Sequence, residues 1–169
     1  MSKYLDTRDL RRELDDLETK RNDWFDDIQT QISDLEEEIE ELEQELKDLD
    51  DENEDSEDRA NLATDILDKK DEIKELQKIT IEEFGEEDNY QELDTLSCEV
   101  DGWNSGVTLI PRDEFADYIK DMLEGDGIIS RDLPWYIENA IDWSQVADNM
   151  ESDYSTVDFR GDEYLYLNS

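Results

Sequence analysis

Apolar residues in the N-terminal half recur with the spacing of an amphipathic helix. Residues 1–78 contain neither Pro nor Gly, so the segment contains no helix-breaking residue. Apolar side chains follow alternating steps of three and four, interrupted at Arg21: Leu10, Leu14, Leu17, Trp24, Ile28, Ile32, Leu35, Ile39, Leu42, Leu46 and Leu49. This heptad spacing predicts one long helix with an apolar seam.

A second, shorter helix is predicted after an acidic interruption. The heptad spacing fails across "DENEDSED" (51–58). It resumes at four apolar positions, Leu62, Ile66, Ile73 and Leu76. Two helices of unequal length joined by a polar turn predict an antiparallel α-helical coiled-coil hairpin over residues 1–78.

The unequal lengths of the two helices predict that part of the seam is uncovered. The first helix, of about 44 residues, would reach roughly 65 Å, and the second about half of that. The returning helix then cannot cover the first turns of the long one. We therefore expect four seam residues to contact a second copy of the chain, the C-terminal domain or a target: Leu10, Leu14, Leu17 and Trp24.

Residues 79–169 follow a different pattern, and all six Gly and both Pro of the chain lie among them. The apolar run at 106–111 is typical of a short strand. Helical spacing predicts one helix over 115–123 and another over 143–154. Alternating residues on both sides of an Arg-Gly-Asp turn predict a β-hairpin over 155–167. The sequence thus predicts an α+β protein, in which the hairpin of helices precedes a small α+β domain ending in a β-hairpin.

Several positions in this second domain have specific structural expectations. Asp142, with Gln145 three residues later, has the spacing of a helix N-cap. The tryptophans after the first helix are expected in an aromatic core: Trp103, Trp135 and Trp143. Cys98 is the only cysteine, so the chain forms no internal disulfide, and we expect its thiol to be buried.

The charge of the chain restricts its partners. Fifty-four acidic residues oppose sixteen basic ones, which gives a formal net charge of −38, and there is no histidine. Such a chain repels free nucleic acid and anionic membranes, and it favours basic proteins or the basic grooves of DNA-binding proteins. No apolar stretch approaches the roughly 20 residues of a membrane span, and no secretory signal opens the chain. We expect a cytoplasmic protein.

The residue types argue against common catalytic and ligand-binding sites. Without histidine and with one cysteine, the usual serine and cysteine triads are excluded. Gly127 resembles the centre of an EF-hand loop, but Met122 and Leu133 would then occupy ligand positions, where neither can coordinate calcium. Gly-rich phosphate loops are absent. We therefore expect no enzyme activity and no cofactor.

An acidic run in the first half is the strongest candidate feature. Between Asp34 and Asp58, sixteen of twenty-five residues are acidic. On a helix this places one charge about every 2.3 Å, against roughly 1.7 Å along duplex DNA. Two interpretations follow, a solvated helix face or a surface that imitates DNA. The candidate phosphate mimics of this run are Glu36, Glu37, Glu40, Glu41, Asp51 and Glu54.

The closing segment "AIDWSQVADNMESDYSTVDFRGDEYLYL" (140–167) resembles the end of ArdA-type antirestriction proteins. The shared positions are Ile141, Asp142, Trp143, Ala147, Met150, Asp153, Tyr154, Ser155, Val157, Asp158, Phe159, Gly161 and Tyr164. Upstream, "LIPRDEFADYIKDMLEGDGII" and the following Pro134 and Trp135 keep the order of the family's elements, although the family has Trp before Pro. The resemblance covers about residues 80–169. It does not extend to the first half, where the family has another small α/β domain.

The resemblance implies a function. ArdA-type proteins are dimeric DNA mimics of phages and mobile elements that occupy the DNA groove of type I restriction-modification enzymes. It implies a homodimer in the host-cell cytoplasm and a further set of phosphate mimics: Asp142, Asp148, Glu151, Asp153, Asp158, Asp162 and Glu163. The alternative is an assembly or adaptor protein, whose coiled coil binds partner helices and whose acidity serves solubility.

Overall fold

The computed structural model describes residues 4–52 and 56–168, and the chain divides into two compact units. Unit 1 comprises Met1–Asp16 and Asp88–Ser169, and unit 2 comprises Leu17–Glu87. The predicted division places residues 1–16 in the helical hairpin, whereas the structure places them in unit 1. They belong there because Leu5 and Asp6 pair with the sheet of that unit.

The described residues are mostly helical, with one small antiparallel sheet, so the predicted α+β class is confirmed. The helices are α1 (Thr7–Glu52), α2 (Ser56–Leu76), α3 (Glu87–Glu99), α4 (Phe115–Gly125), α5 (Trp135–Glu138) and α6 (Trp143–Met150). The strands are β1 (Leu5–Asp6), β2 (Thr108–Pro111), β3 (Tyr154–Phe159) and β4 (Asp162–Leu167). No helix among the described residues has the length and apolar character needed to cross a membrane.

The four strands of unit 1 form a sheet in the order β1-β2-β4-β3, with every pairing antiparallel. In the register, Ile110 of β2 lies opposite Leu165 of β4. The predicted hairpin joins β3 and β4 through Arg160 and Gly161, whose φ angles are 51° and 84°. Two successive positive φ angles give a turn whose twist matches that of the flanking strands.

One face of this sheet packs against α4 and α6. Ile110 and Leu165 from the sheet and Ile119 from α4 are fully buried there, and they share a cluster with Ala147 of α6. The ring of Tyr154 contacts that of Phe115 edge to face, with centroids 4.8 Å apart. Burial raises the pKa of the Tyr154 hydroxyl, and nearby Tyr118 and Asp153 add to the effect. This cluster is an apolar core of unit 1.

The opposite face of the sheet is tied to α3 and to the start of α1. The Tyr166 hydroxyl donates to the carbonyl of Glu99 at 3.1 Å. Thr7 is fully buried, and its hydroxyl donates to the Trp103 carbonyl at 3.0 Å while accepting from the Val107 N–H at 2.8 Å. Because a buried hydroxyl is costly without partners, these two bonds explain how a polar residue is accommodated here.

Unit 2 has its own apolar core. Isoleucines of α1 and α2 form it, namely Ile28, Ile32, Ile39, Ile66 and Ile73. The predicted seam therefore faces inward over this part of α1.

The basic residue that interrupts the seam has an acidic partner. The Arg21 guanidinium pairs with the Glu87 carboxylate at 2.7 Å, and the Glu87 side chain is 6 % exposed. An ion pair with so little exposure requires both partners, since either charge alone would lose its compensation. Arg21 therefore fits the seam without an apolar side chain.

The first part of the seam is mostly covered within the chain. Leu10 and Leu17 are buried, and Leu14 is half-buried. Trp24 is also half-buried, with its ring 5.8 Å from that of Phe84. Phe84 lies after residue 78, so this contact fits the expected cover by the C-terminal part of the chain, and contact with a second copy or a target stays a prediction.

Two expectations about single residues are wrong. Cys98 is exposed, because it lies on the outer side of α3 while Leu96 faces inward. Trp103 is buried and Trp143 is half-buried, as expected, but the Trp135 side chain is 74 % exposed. Trp135 is therefore not part of the core of unit 1.

Gly106 is predicted to tolerate no side chain. It has a φ of +85°, and a Cβ there would lie 2.7 Å from Nε of Arg8. Arg8 donates to Asp6 at 2.6 Å and holds the pKa of that carboxyl at about 2, so displacing Arg8 disturbs an ion pair as well. Gly106→Ala should lower the free energy of unfolding by about 1–2 kcal/mol or more in urea titrations.

Gly125→Ala is the matched control for this substitution. Gly125 ends α4, and a Cβ added there would have no other atom within 4 Å. Because Ala is a better helix former than Gly, we expect the unfolding free energy to stay unchanged or to rise by up to about 1 kcal/mol. Equal losses in the two variants would contradict the assigned role of Gly106.

Candidate partner-binding surface

Four of the predicted phosphate mimics lie on the exposed side of α1. Their carboxylates are all exposed, whereas Ile39 between them is buried. Residues four apart on a helix lie about 6 Å apart along the axis, so these side chains form two adjacent rows. We call them the α1 carboxylate rows: Glu36 with Glu40, and Glu37 with Glu41.

Lysines of α2 neutralise other carboxylates of α1. Lys69 pairs with Glu38, and Lys70 pairs with Glu43 at 2.6 Å. The hydrogen bond to Glu38 is the main reason why the pKa of the Lys69 ammonium is raised. Among residues 4–52 and 56–168, none of the carboxylates in the α1 rows takes part in an ion pair. The α1 carboxylate rows therefore face solvent without an internal counter-ion among the described residues.

The last two candidates of the acidic run cannot be placed. Asp51 and Glu54 lie outside the residues whose side chains the structure describes. They stay predictions.

In unit 1, several of the predicted carboxylates point to solvent around α6 and the β-hairpin. Six of the seven are exposed: Asp142 and Glu163, which have partners within the chain, and Asp148, Asp153, Asp158 and Asp162. The pKa of the Tyr164 hydroxyl is raised mainly by burial and then by the negative charge of Asp162.

Three of the seven predicted carboxylates of unit 1 already have partners within the chain. Arg112 pairs with Glu163 and, at 2.5 Å, with Glu151, and these hydrogen bonds raise the pKa of its guanidinium. Asp142 accepts from the Gln145 N–H at 3.1 Å, so the predicted helix cap is confirmed. The sequence predicts the role of Asp142, because its partner Gln145 is three residues away. It does not predict the roles of Glu151 and Glu163, because Arg112 is far from both along the chain.

The arrangement presents fixed negative charge. Among the described residues, no group of three or more acidic or cysteine side chains is arranged to hold a metal ion. The α1 carboxylate rows form on one straight element and require no loop to order. Such a surface can bind a partner that offers Lys or Arg side chains at a similar spacing.

Fold and surface together define an acidic α+β protein with ordered, exposed carboxylate rows on a long helix. Comparison with protein-family models, with curated proteins and with solved structures gives no match to this chain.

Proposed function

We propose that the protein is a non-enzymatic DNA mimic that occupies the basic DNA-binding groove of a type I restriction-modification enzyme or a related DNA-binding machine. The observation that carries the proposal is the α1 carboxylate rows, which are exposed and lack internal counter-ions among the described residues. If the acidic residues of α1 served only to keep the helix solvated, those in the rows could equally pair with the lysines of α2. The absence of such pairs among the described residues favours a surface that is kept for a partner.

The frame of this surface is proposed to be an antiparallel coiled-coil hairpin of α1 and α2. The isoleucine cluster of unit 2 supports it. The ion pairs Lys69–Glu38 and Lys70–Glu43 support the side-by-side packing of the two helices, because each joins a side chain of α2 to one of α1. A helix that is packed on one side has little conformational freedom to lose on binding, which favours affinity.

The proposed mechanism is competition with DNA. Carboxylates of the mimic neutralise Lys and Arg side chains in the groove of the target, where backbone phosphates otherwise bind. The net charge of −38 draws the protein toward such a groove and accelerates the encounter. Salt screens these interactions, so inhibition should weaken as the ionic strength rises.

The C-terminal unit is proposed to extend the mimic. The hairpin and helix cap of the ArdA-like segment are present, and four exposed carboxylates accompany them: Asp148, Asp153, Asp158 and Asp162. By the same resemblance, the protein is proposed to act as a homodimer in the cytoplasm of the host cell. Glu151 and Glu163 would contribute only if the target displaced Arg112.

A second candidate is the assembly or adaptor function. The observation in its favour is Leu67, which is 62 % exposed on α2 and could pack against a helix of a partner. An adaptor does not compete with DNA, so it should leave the DNA complex of its partner intact.

A gel-shift competition tests the proposed function. The protein is added to a preformed complex of a type I restriction-modification enzyme and a labelled duplex, at low salt. We expect near-stoichiometric amounts to release the DNA. Polyglutamate of similar length is the control, and it should release much less because its charges are not ordered. A complex that survives a tenfold molar excess of the protein would contradict the proposal.

A further inference from the structure

A ridge of apolar side chains projects from unit 1 at α5. We call Trp135, Tyr136 and Ile137 the α5 ridge, and they are 74, 61 and 42 % exposed. Ile128, shortly before them, is 69 % exposed. Tryptophan is usually well buried, so consecutive exposed aromatic and aliphatic residues indicate an interaction surface.

Local contacts fix the position of the ridge. The Ile137 N–H donates to the Pro134 carbonyl at 2.8 Å, and the Asn139 N–H donates to that of Trp135 at 3.0 Å. The Trp135 and Tyr136 rings contact each other edge to face, with centroids 6.0 Å apart. Hydrogen bonds and a ring contact within residues 134–139 therefore hold this short helix in its conformation.

An ion pair connects the ridge to the core of unit 1. The Lys120 ammonium of α4 donates to the Glu138 carboxylate at 3.0 Å, and it lies over the Trp143 ring at 5.6 Å. Because α4 packs against the sheet, the ion pair between Lys120 and Glu138 holds the ridge on a well-packed helix.

Exposed acidic residues flank the ridge along the chain. Asp126, Asp132 and Asp142 lie before and after it in the sequence, with Arg131 as the one basic residue between Asp126 and Asp142. We call these flanking carboxylates the negative border, and they favour a partner that supplies apolar contact and positive charge together.

We propose that the α5 ridge docks on a partner protein whose apolar patch is flanked by Lys or Arg side chains. The negative border favours such a partner, and it disfavours anionic membranes. The two rings can bury on the order of 300–500 Å², which is less than the roughly 800 Å² per subunit of a stable interface. The ridge alone is therefore too small to hold two copies of the chain together.

The ridge has the size and composition of an anchor within a larger interface. Tryptophan and tyrosine dominate the residues that contribute most to binding in protein interfaces. This contact is apolar, so it does not depend on DNA imitation and should persist at salt concentrations that screen the carboxylates.

Binding to a synthetic peptide tests the inference. The probe is a labelled amphipathic helical peptide with leucines on one face and lysines at its borders, and anisotropy is measured at about 0.5 M salt. We expect the full-length protein to bind the peptide. The affinity of W135A/Y136A for the same peptide should be lower by on the order of tenfold, or by more. Leu67→Ala and Leu167→Ala remove equally exposed apolar side chains elsewhere and should leave the affinity unchanged.

Three results would overturn the inference. The double variant could bind the peptide as tightly as the wild type, or, at about 0.1 M salt where charges are less screened, a peptide with glutamates in place of the lysines could bind equally well. Sedimentation could also show a wild-type dimer that W135A/Y136A abolishes, which would assign the ridge to a second copy. Far-UV circular dichroism of the double variant confirms that its fold is intact.

Discussion

Replacing the α1 carboxylate rows by glutamines should weaken inhibition of the target by about tenfold to a hundredfold. Each exposed carboxylate contributes a modest amount through its ion pair with the target, roughly 0.2–1 kcal/mol, and four are removed together. The fold should persist, because glutamine is nearly as good a helix former as glutamate and the i,i+4 repulsion within each row disappears. The concentration for half-maximal DNA release in the gel shift measures the effect.

A variant with the same change in net charge separates position from total charge. Four exposed carboxylates of unit 2 outside α1 serve for this control, namely Asp65, Asp68, Glu72 and Glu82. Three of them lie on α2, which also carries Lys69, Lys70 and Lys74. Replacing these Asp residues by Asn and these Glu residues by Gln should change the concentration for half-maximal DNA release by less than about threefold. The effect is small because exposed charges that do not contact the target contribute little to binding. Equal loss in both variants would show that only the total charge matters, and the rows would then have no special role.

Leu165→Ala should destabilise unit 1 by about 2–5 kcal/mol. Leu165 is fully buried in β4 opposite Ile110 and shares the core cluster with Ile119. Its truncation removes transfer free energy and leaves a cavity against the sheet. Urea unfolding followed by near-UV circular dichroism, which reports on the aromatic core, measures the loss.

Leu167→Ala is the control in the same strand. Leu167 is 56 % exposed, so the same truncation should change the unfolding free energy by at most about 0.5 kcal/mol. A large loss at Leu167, or a small one at Leu165, would contradict the described orientation of β4.

Elements with a local signal can be predicted from the sequence. The polar and apolar positions of α1 and α2 follow from heptad spacing, which also places the α1 carboxylate rows on the exposed side. The Arg160-Gly161 turn and the Asp142 cap are predictable because each depends on residues that are close along the chain. The candidate surface on α1 therefore follows from the amino-acid sequence alone.

Elements that depend on distant partners are missed by sequence patterns. β1 has only two residues, and it is a strand because Leu5 pairs with Leu109. Helix α3 carries only a weak local signal, the helical spacing of Leu93, Leu96 and Val100.

Tertiary placement also decides which candidate residues are available. The pairing of Arg112 with Glu151 and Glu163 joins residues 39 and 51 positions apart, and no sequence pattern indicates it. The exposure of Trp135 is equally hidden, because helical spacing does not distinguish an aromatic residue in a core from one on a surface.

Mutual exclusion between this protein and DNA tests the central claim most directly. A type I restriction-modification enzyme is titrated with the protein in the presence and absence of saturating duplex, and the complexes are resolved by sedimentation velocity. We predict a complex of enzyme and protein without DNA, and its loss when the duplex fills the groove. A ternary complex of enzyme, duplex and protein would contradict DNA imitation.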